Sequence, residues 1–358
     1  MATTPVDAGN PALGILIFML GGLAGAVFYL PFKRVQNWAW ESYWLVYAVV
    51  GLALVPWLLA LATSPNLFAV LSLAPRREIF YCLVCGAVWG FGGLTWGLMI
   101  RYLGVGLGLA MGAGLTSAAG TLIPPMLGGR DAISQMFMKP AGIVSVAAAL
   151  LSVAGIVFVG LAGRSKENEL GDEAKKQAVA EFNLKRGMGV AVFSGLMSSG
   201  MSFGLQGGPG IQKLALTIPP ATSPTWAGMP VLVVVLLGGC AINGGWCVLL
   251  NVKNRTAGDY VKKGAPLFSN LVFAALAGAI WCSQFICFKT GEPQMGPTSY
   301  IGWAVLMASM ILFSQLLGLI LGEWTGTSKK TVRLLLTGLV LLVVSAGVAG
   351  YSGYLGMR

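Results

Sequence analysis

Residues 164–186 read RSKENELGDEAKKQAVAEFNLKR, the longest polar run in the chain. On either side of it the sequence turns apolar at once. Of the 358 residues, 56% are hydrophobic and 10% charged, with a mean hydropathy of +0.79. A soluble domain carries about 25% charged residues, so a water-soluble fold does not fit. A membrane-crossing helix needs about 20 mostly apolar residues. Ten windows meet that length: 12–31, 42–62, 78–100, 103–127 and 140–163 before the polar run, and 187–206, 227–250, 265–288, 298–322 and 332–354 after it. The expected fold is an all-α integral membrane protein of ten transmembrane helices. Residues 1–163 make a first five-helix half, 164–186 a cytoplasmic charged linker, and 187–358 a second five-helix half.

Loop charges set the expected orientation. Loops after odd-numbered windows hold sixteen of the 23 Lys and Arg, leaving seven elsewhere. The positive-inside rule then places the odd loops in the cytoplasm and both termini outside. The first thirty residues contain no Lys or Arg. They lack the basic region of a secretory signal and read as a retained first span.

Five spans per half is an odd number, so a duplicated half would insert upside down, as in many secondary transporters. A trace of duplication is visible. The third window holds GAVWGFGGLTWGLMIRYLG from Gly86, and the eighth holds GAIWCSQFICFKTG from Gly278. Both begin Gly-Ala-(Val/Ile)-Trp, at the third position of each half. Gly86, Gly90, Gly93 and Gly97, then Gly104, Gly108 and Gly112, supply small residues four apart for close helix contact.

Several function classes drop out. There is no histidine, which removes the commonest metal ligand and the commonest general base. Cys82, Cys85, Cys240, Cys247, Cys282 and Cys287 all fall in apolar runs and read as small buried hydrophobes. No nucleophile–base pair supports an intramembrane enzyme, and no phosphate loop implies ATP. No cofactor or metal is expected. The net charge of +11 lies between apolar runs, which points to the lipid surface and not to nucleic acid.

Phe28–Trp44, FYLPFKRVQNWAWESYW, joins the first two windows with two cations, three tryptophans and one glutamate. This segment resembles that of the rhamnose–proton symporters, a branch of the drug/metabolite transporter superfamily. The likeness continues in WGLMIRYLG (Trp96–Gly104), GTLIPP (Gly120–Pro125), EFNLKRG (Glu181–Gly187) and SSGMSFGLQ (Ser198–Gln206). It extends through AINGG (Ala241–Gly245), AIWCSQF (Ala279–Phe285) and GEWTG (Gly322–Gly326). The resemblance implies two inverted five-helix halves and uptake of a 6-deoxyhexose, L-rhamnose, with a proton across the inner membrane. Two places depart from it: Gly322 stands where a cation is expected before Glu323, and residues 207–226 are divergent and rich in Gly and Pro.

Function is expected where polar or aromatic groups enter the spans. Tyr29, Trp89, Trp96 and Trp281 supply rings for a sugar face, and Gln206, Asn243 and Gln284 supply amides for its hydroxyls. Trp281 and Gln284 share one helix face, as do Trp89 and Trp96. The alternative for each is helix–helix contact. No acid falls in the middle of a window; Glu41, Glu78 and Glu323 sit at edges, and the remaining acids read as loop residues. Glu41 is the candidate for proton coupling, and an interfacial anchor paired with Lys33 or Arg34 is its alternative reading. A gradient-driven metabolite exporter or facilitator of the same superfamily is the competing function. The expected partners are a sugar, a proton and the bilayer, and the expected assembly is a monomer or homodimer.

Overall fold

The computed structural model describes residues 10–127, 134, 137–169, 182–262, 264–295 and 302–356. Among these residues every regular element is helical. The long helices are α1 (Pro11–Val27), α2 (Trp40–Thr63), α3 (Arg76–Leu103), α4 (Val105–Leu127) and α5 (Pro140–Glu169). After the polar run come α6 (Leu184–Gln206), α7 (Met229–Lys253), α8 (Leu267–Met295), α9 (Gly302–Ile320) and α10 (Lys329–Gly356). Among the described residues, nine helical segments are long and apolar enough to cross a membrane. The apolar part of α4 counted on the same terms, Val105–Gly120, is shorter.

Helix ends follow local chemistry. Asn10 opens α1 by accepting the Leu13 N–H on its side chain, and Asn183 opens α6 by accepting that of Arg186. Gly104 separates α3 from α4 at φ +85°, a left-handed conformation that a side chain would strain. Inside α2 the turn widens to a π-helical stretch, Val49–Leu54, just before Pro56. Proline has no N–H and crowds the carbonyl one turn back, so a wider turn relieves the clash.

Two of the sequence boundaries need correction. Helix α5 continues past the apolar window into the polar run as far as Glu169. Helix α8 continues past residue 288 to Met295, so Glu292 is a helical residue and not a loop residue. The apolar window ends where the first charge appears, but Lys289 pairs with Glu292 at 2.5 Å. A neutralised pair lets the helix continue.

The principal packing pairs follow one scheme. Helix α1 lies on α8 and α9, and α6 lies on α3 and α4. Helix α2 packs on α8 as α7 packs on α3; α4 packs on α5 as α9 packs on α10. The pairs α2–α7, α4–α9 and α5–α10 also touch. Exchanging each helix with the one five places along leaves this set unchanged. The two Gly-Ala-(Val/Ile)-Trp segments occupy matching places in it. Gly86 abuts the Val235 backbone of α7, and Gly278 abuts the Tyr47–Gly51 backbone of α2. A Cβ at Gly278 would stand 2.6 Å from the Tyr47 carbonyl oxygen, so no other residue permits this approach. Outward faces carry large apolar side chains such as Leu58, Phe80 and Phe268, as lipid contact demands.

Side-chain ties separate two ends of the bundle. At the odd-loop end, Asp259 accepts from the Ala39 N–H and Ser42, and Asn270 exchanges hydrogen bonds with the Gln36 backbone. Glu323 accepts the Val105 and Gly106 N–H groups at 2.7 and 2.9 Å, capping α4. Glu169 accepts from Ser328 and Thr331, which hold its carboxyl down at about 2. At the even-loop end, Asn66 donates to the Ala215 and Ile218 carbonyls and accepts from Thr222. Glu78 caps the short helix Pro209–Thr217 through the Gly210 and Ile211 N–H groups.

Candidate functional site

Helices from before and after the polar run meet at a narrow cavity of about 40 Å³. Helix α3 contributes Trp89 and Trp96, α8 contributes Trp281 and Gln284, and α2 contributes Trp44 and Tyr47. Ser198 of α6, Thr116 of α4 and Trp303 of α9 add further polar groups to the lining. Four of the residues singled out from the sequence (Trp89, Trp96, Trp281 and Gln284) therefore come together. The spacing that put each pair on one helix face is what aims them inward.

Trp89 and Trp281 stack on each other, with ring centroids 4.8 Å apart and planes 27° apart. Phe285 and Tyr47 pack around Trp281, at 4.8 and 6.0 Å. Trp96 is held by a 2.7 Å hydrogen bond from its Nε1 to the Ser198 hydroxyl. Gln284 is 4% exposed and lies against Gly25 of α1. Its amide forms no hydrogen bond among the described residues. The Trp303 Nε1 is likewise a buried donor without a partner there. The lining thus holds an amide and an indole N–H that no described side chain or backbone group engages.

The other sequence candidates lie elsewhere. Asn243 is fully buried, but its amide is already used. It accepts from Trp44 Nε1 at 3.0 Å and donates to the Gly90 and Gly239 carbonyls. Its place is to fix Trp44, which lines the cavity. Tyr29 lines a second, wider opening towards the odd-loop end, with Trp40, Tyr43, Thr95 and Arg101. Gln206 is exposed at the end of α6 and donates to Ser202. Between the cavity and the wider opening stand the stacked rings of Trp40 and Trp44, 5.0 Å apart, with Phe32 stacked behind Trp44 at 5.6 Å. That stack is what the aromatic segment Phe28–Trp44 builds.

Glu41 sits in the first turn of α2 at the odd-loop end, 6% exposed. Its Oε1 accepts from Asn254 and Thr256, both at 2.9 Å. Neither Lys33 nor Arg34 forms an ion pair with it among the described residues. Beside Glu323 a cation from another helix lies over the neighbouring rings. Lys166 of α5 lies 4.9 Å over the Trp324 ring and 5.4 Å from that of Phe182, and Gly322 adopts φ +70°. The GTLIPP segment extends into residues whose side chains lie outside the described set.

Trp44, Tyr47, Ser198 and Trp303 escaped the sequence reading. Trp44 reads from sequence only as an interfacial ring, Ser198 as one serine of a run with Ser194 and Ser202, and Trp303 as one more apolar-window ring. Only the packing of α2, α6 and α9 onto α3 and α8 turns them inward.

Comparison with known proteins gives one family. The model of the L-rhamnose-proton symport protein family (RhaT) matches residues 9–357. An L-rhamnose-proton symporter of Klebsiella pneumoniae subsp. pneumoniae is 31% identical over 342 residues, which is 94% of this chain and 97% of the relative. The symporter of Cronobacter sakazakii is 32% identical, covering 94% and 96%. That of Citrobacter koseri is 30% identical, covering 94% and 97%. No solved structure matches the chain significantly.

Proposed function

Because the chain belongs to the L-rhamnose-proton symport protein family, we propose that it is a secondary active importer. It carries a 6-deoxyhexose, L-rhamnose, inward with a proton across a bacterial inner membrane. A proton entering down ~100 mV gains about 2.3 kcal/mol, and a unit pH difference adds about 1.4 kcal/mol. One coupled proton then supports a sugar gradient of several hundred-fold, since about 1.4 kcal/mol is tenfold.

The observation that carries this reading is the cavity between α3 and α8, with its paired indoles and the unbonded Gln284 amide. An indole offers apolar area to the flat face of a pyranose, and an amide donates and accepts at neighbouring hydroxyls. In the stacked arrangement Trp89 and Trp281 cover each other's inner faces. The sugar enters by parting them, with Trp96 and Gln284 at its edge.

The architecture we propose is ten spans in two inverted halves, residues 1–163 and 187–358, joined by the 164–186 linker. The packing scheme supports it, since it is unchanged when each helix is exchanged with the one five places on. Charge supports placing the odd-loop end in the cytoplasm. Trp40 and Trp44 then form the inner partition, and Glu41 lies beyond it as the group that hands the proton to the cytoplasm. The proposed assembly is a monomer or a homodimer.

The test is uptake by membrane vesicles against a panel of competing sugars, with external pH recorded. Alkalinisation on adding L-rhamnose, abolished by a protonophore, is expected. Uptake with no pH change, or driven by sodium alone, would refute proton symport.

A further inference from the structure

Helix α8 carries an ion pair, one member buried and the other partly exposed, that the site described above does not use. Lys289 is 3% exposed and its Nζ lies 2.5 Å from Glu292 Oε2; Glu292 is 22% exposed. The Lys289 Nζ also reaches the Leu205 carbonyl of α6 at 3.5 Å, and its stem packs on Gly228 at the start of α7. One side chain thus ties α8 to the ends of two helices of the bundle at the even-loop end. An ionisable residue inside a spanning helix is costly and is read first as a functional site with its partner.

The pair is continuous with the cavity. Trp281, Gln284, Phe285, Phe288, Lys289 and Glu292 recur at three- and four-residue intervals and form one stripe along α8. Phe285 lines the cavity, and Lys289 is the next turn outward.

We propose that Lys289 and Glu292 form the proton-taking latch of the outer mouth. The proposal rests on the symport reading and on its orientation, which puts the even-loop end outside. A proton from external water binds the Glu292 carboxylate, which is the partly exposed member of the pair. The neutral acid no longer compensates the Lys289 ammonium, and a buried charge stripped of its partner is strongly unfavourable. Lys289 leaves its seat against Leu205 and Gly228, and α8 parts from α6 and α7. Because the same stripe carries Trp281 and Gln284, this movement reaches the wall where the sugar binds.

The neighbouring ionisable groups on the described elements leave this arrangement intact. Helix α3 presents the Cys82 thiol towards Lys289, while its Glu78 is engaged by the Gly210 and Ile211 N–H groups. Tyr81 of α3 packs on Gly207, and Lys213 of the short helix is exposed. Helices α7 and α9 bring no ionisable side chain to this end.

The experiment compares wild type, Glu292→Gln and Glu292→Asp as full-length protein in right-side-out vesicles. Two readouts are taken: uphill L-rhamnose accumulation under a pH gradient, and sugar exchange between equal concentrations as external pH is varied. Glu292→Gln is expected to lose accumulation while keeping exchange, and its exchange is expected to lose dependence on external pH. Glu292→Asp is expected to keep that dependence. Full accumulation by Glu292→Gln overturns the proposal. So does joint loss of exchange and accumulation in both variants, which is the mark of a structural pair. If wild type exchanges L-rhamnose but shows no response to a pH gradient, the symport reading fails and the latch fails with it.

Discussion

Trp89 and Trp281, each the fourth residue of a Gly-Ala-(Val/Ile)-Trp segment, stack with their ring centroids 4.8 Å apart. The tryptophans of the two similar segments thus touch. The glycine that opens each segment packs on a backbone of the other half, Gly86 on α7 and Gly278 on α2. The stack therefore marks the place where a two-fold relation between halves would have its axis, and where a substrate would be held between them.

If the rings part to admit a sugar, their size matters more than their indole nitrogens. Trp281→Phe is expected to raise the half-saturation concentration less than Trp281→Ala, because a smaller ring still stacks. Trp89→Ala is expected to resemble Trp281→Ala. Uptake assays on variants at matched protein levels decide this, and equal effects of Phe and Ala at position 281 would remove the stacking role.

Gln284 faces the cavity with its amide unused, so its loss should cost affinity without costing stability. Leaving sugar hydroxyls unpaired costs about 1–3 kcal/mol, which is about 5- to 150-fold in affinity. Gln284→Ala is expected to raise the half-saturation concentration within that range at unchanged protein level. Wild-type affinity in this variant would move the sugar site elsewhere.

Much of this was readable from the residues, and the rest was hidden for physical reasons. Helix positions follow from apolar length, and the inward aim of Trp89, Trp96, Trp281 and Gln284 follows from their spacing. What spacing cannot reveal is where a polar group spends its hydrogen bonds. Asn243 and Gln284 are both amides in apolar helices, yet only the packed structure shows one saturated by Trp44, Gly90 and Gly239 and the other free. The Lys289–Glu292 pair was hidden for the opposite reason. Hydropathy ends a span at the first charge and cannot see that two charges one turn apart cancel.

Gly278 is required by distance, since a Cβ there meets the Tyr47 carbonyl oxygen at 2.6 Å. The contact is backbone on backbone and has no flexible side chain to yield. Gly278→Val is expected to lower the yield of folded protein and its melting temperature in detergent. Gly347, where a Cβ meets nothing within 4 Å, is the control, and Gly347→Ala is expected to be neutral.

Glu169 joins α5 to the start of α10 through Ser328 and Thr331. Its carboxyl is lowered to about 2, below the ordinary value of about 4.3. The contribution is present above the ordinary value and is lost as pH falls through about 2. Glu169→Ala is expected to melt below wild type at neutral pH, with the gap closing as pH is lowered from about 4.3. A gap of constant size would show that the contact does not depend on the charge.

Glu41 lies on the far side of the Trp40–Trp44 stack from the cavity, held by Asn254 and Thr256. Those bonds tie the start of α2 to the loop after α7, and protonation would weaken both by removing charge from the acceptor. In the proposed scheme a proton taken up at the outer mouth leaves inside, and Glu41 is the group proposed to receive it there. Glu41→Gln is expected to abolish uphill accumulation while sugar exchange persists, as in Glu292→Gln. The two sites separate by sidedness. Glu41→Gln should lose the response of exchange to internal pH and keep the response to external pH, whereas Glu292→Gln should do the reverse. Unchanged pH-driven accumulation in Glu41→Gln would clear this residue of coupling. Loss of exchange and of protein together would leave it as the anchor of the α2 start.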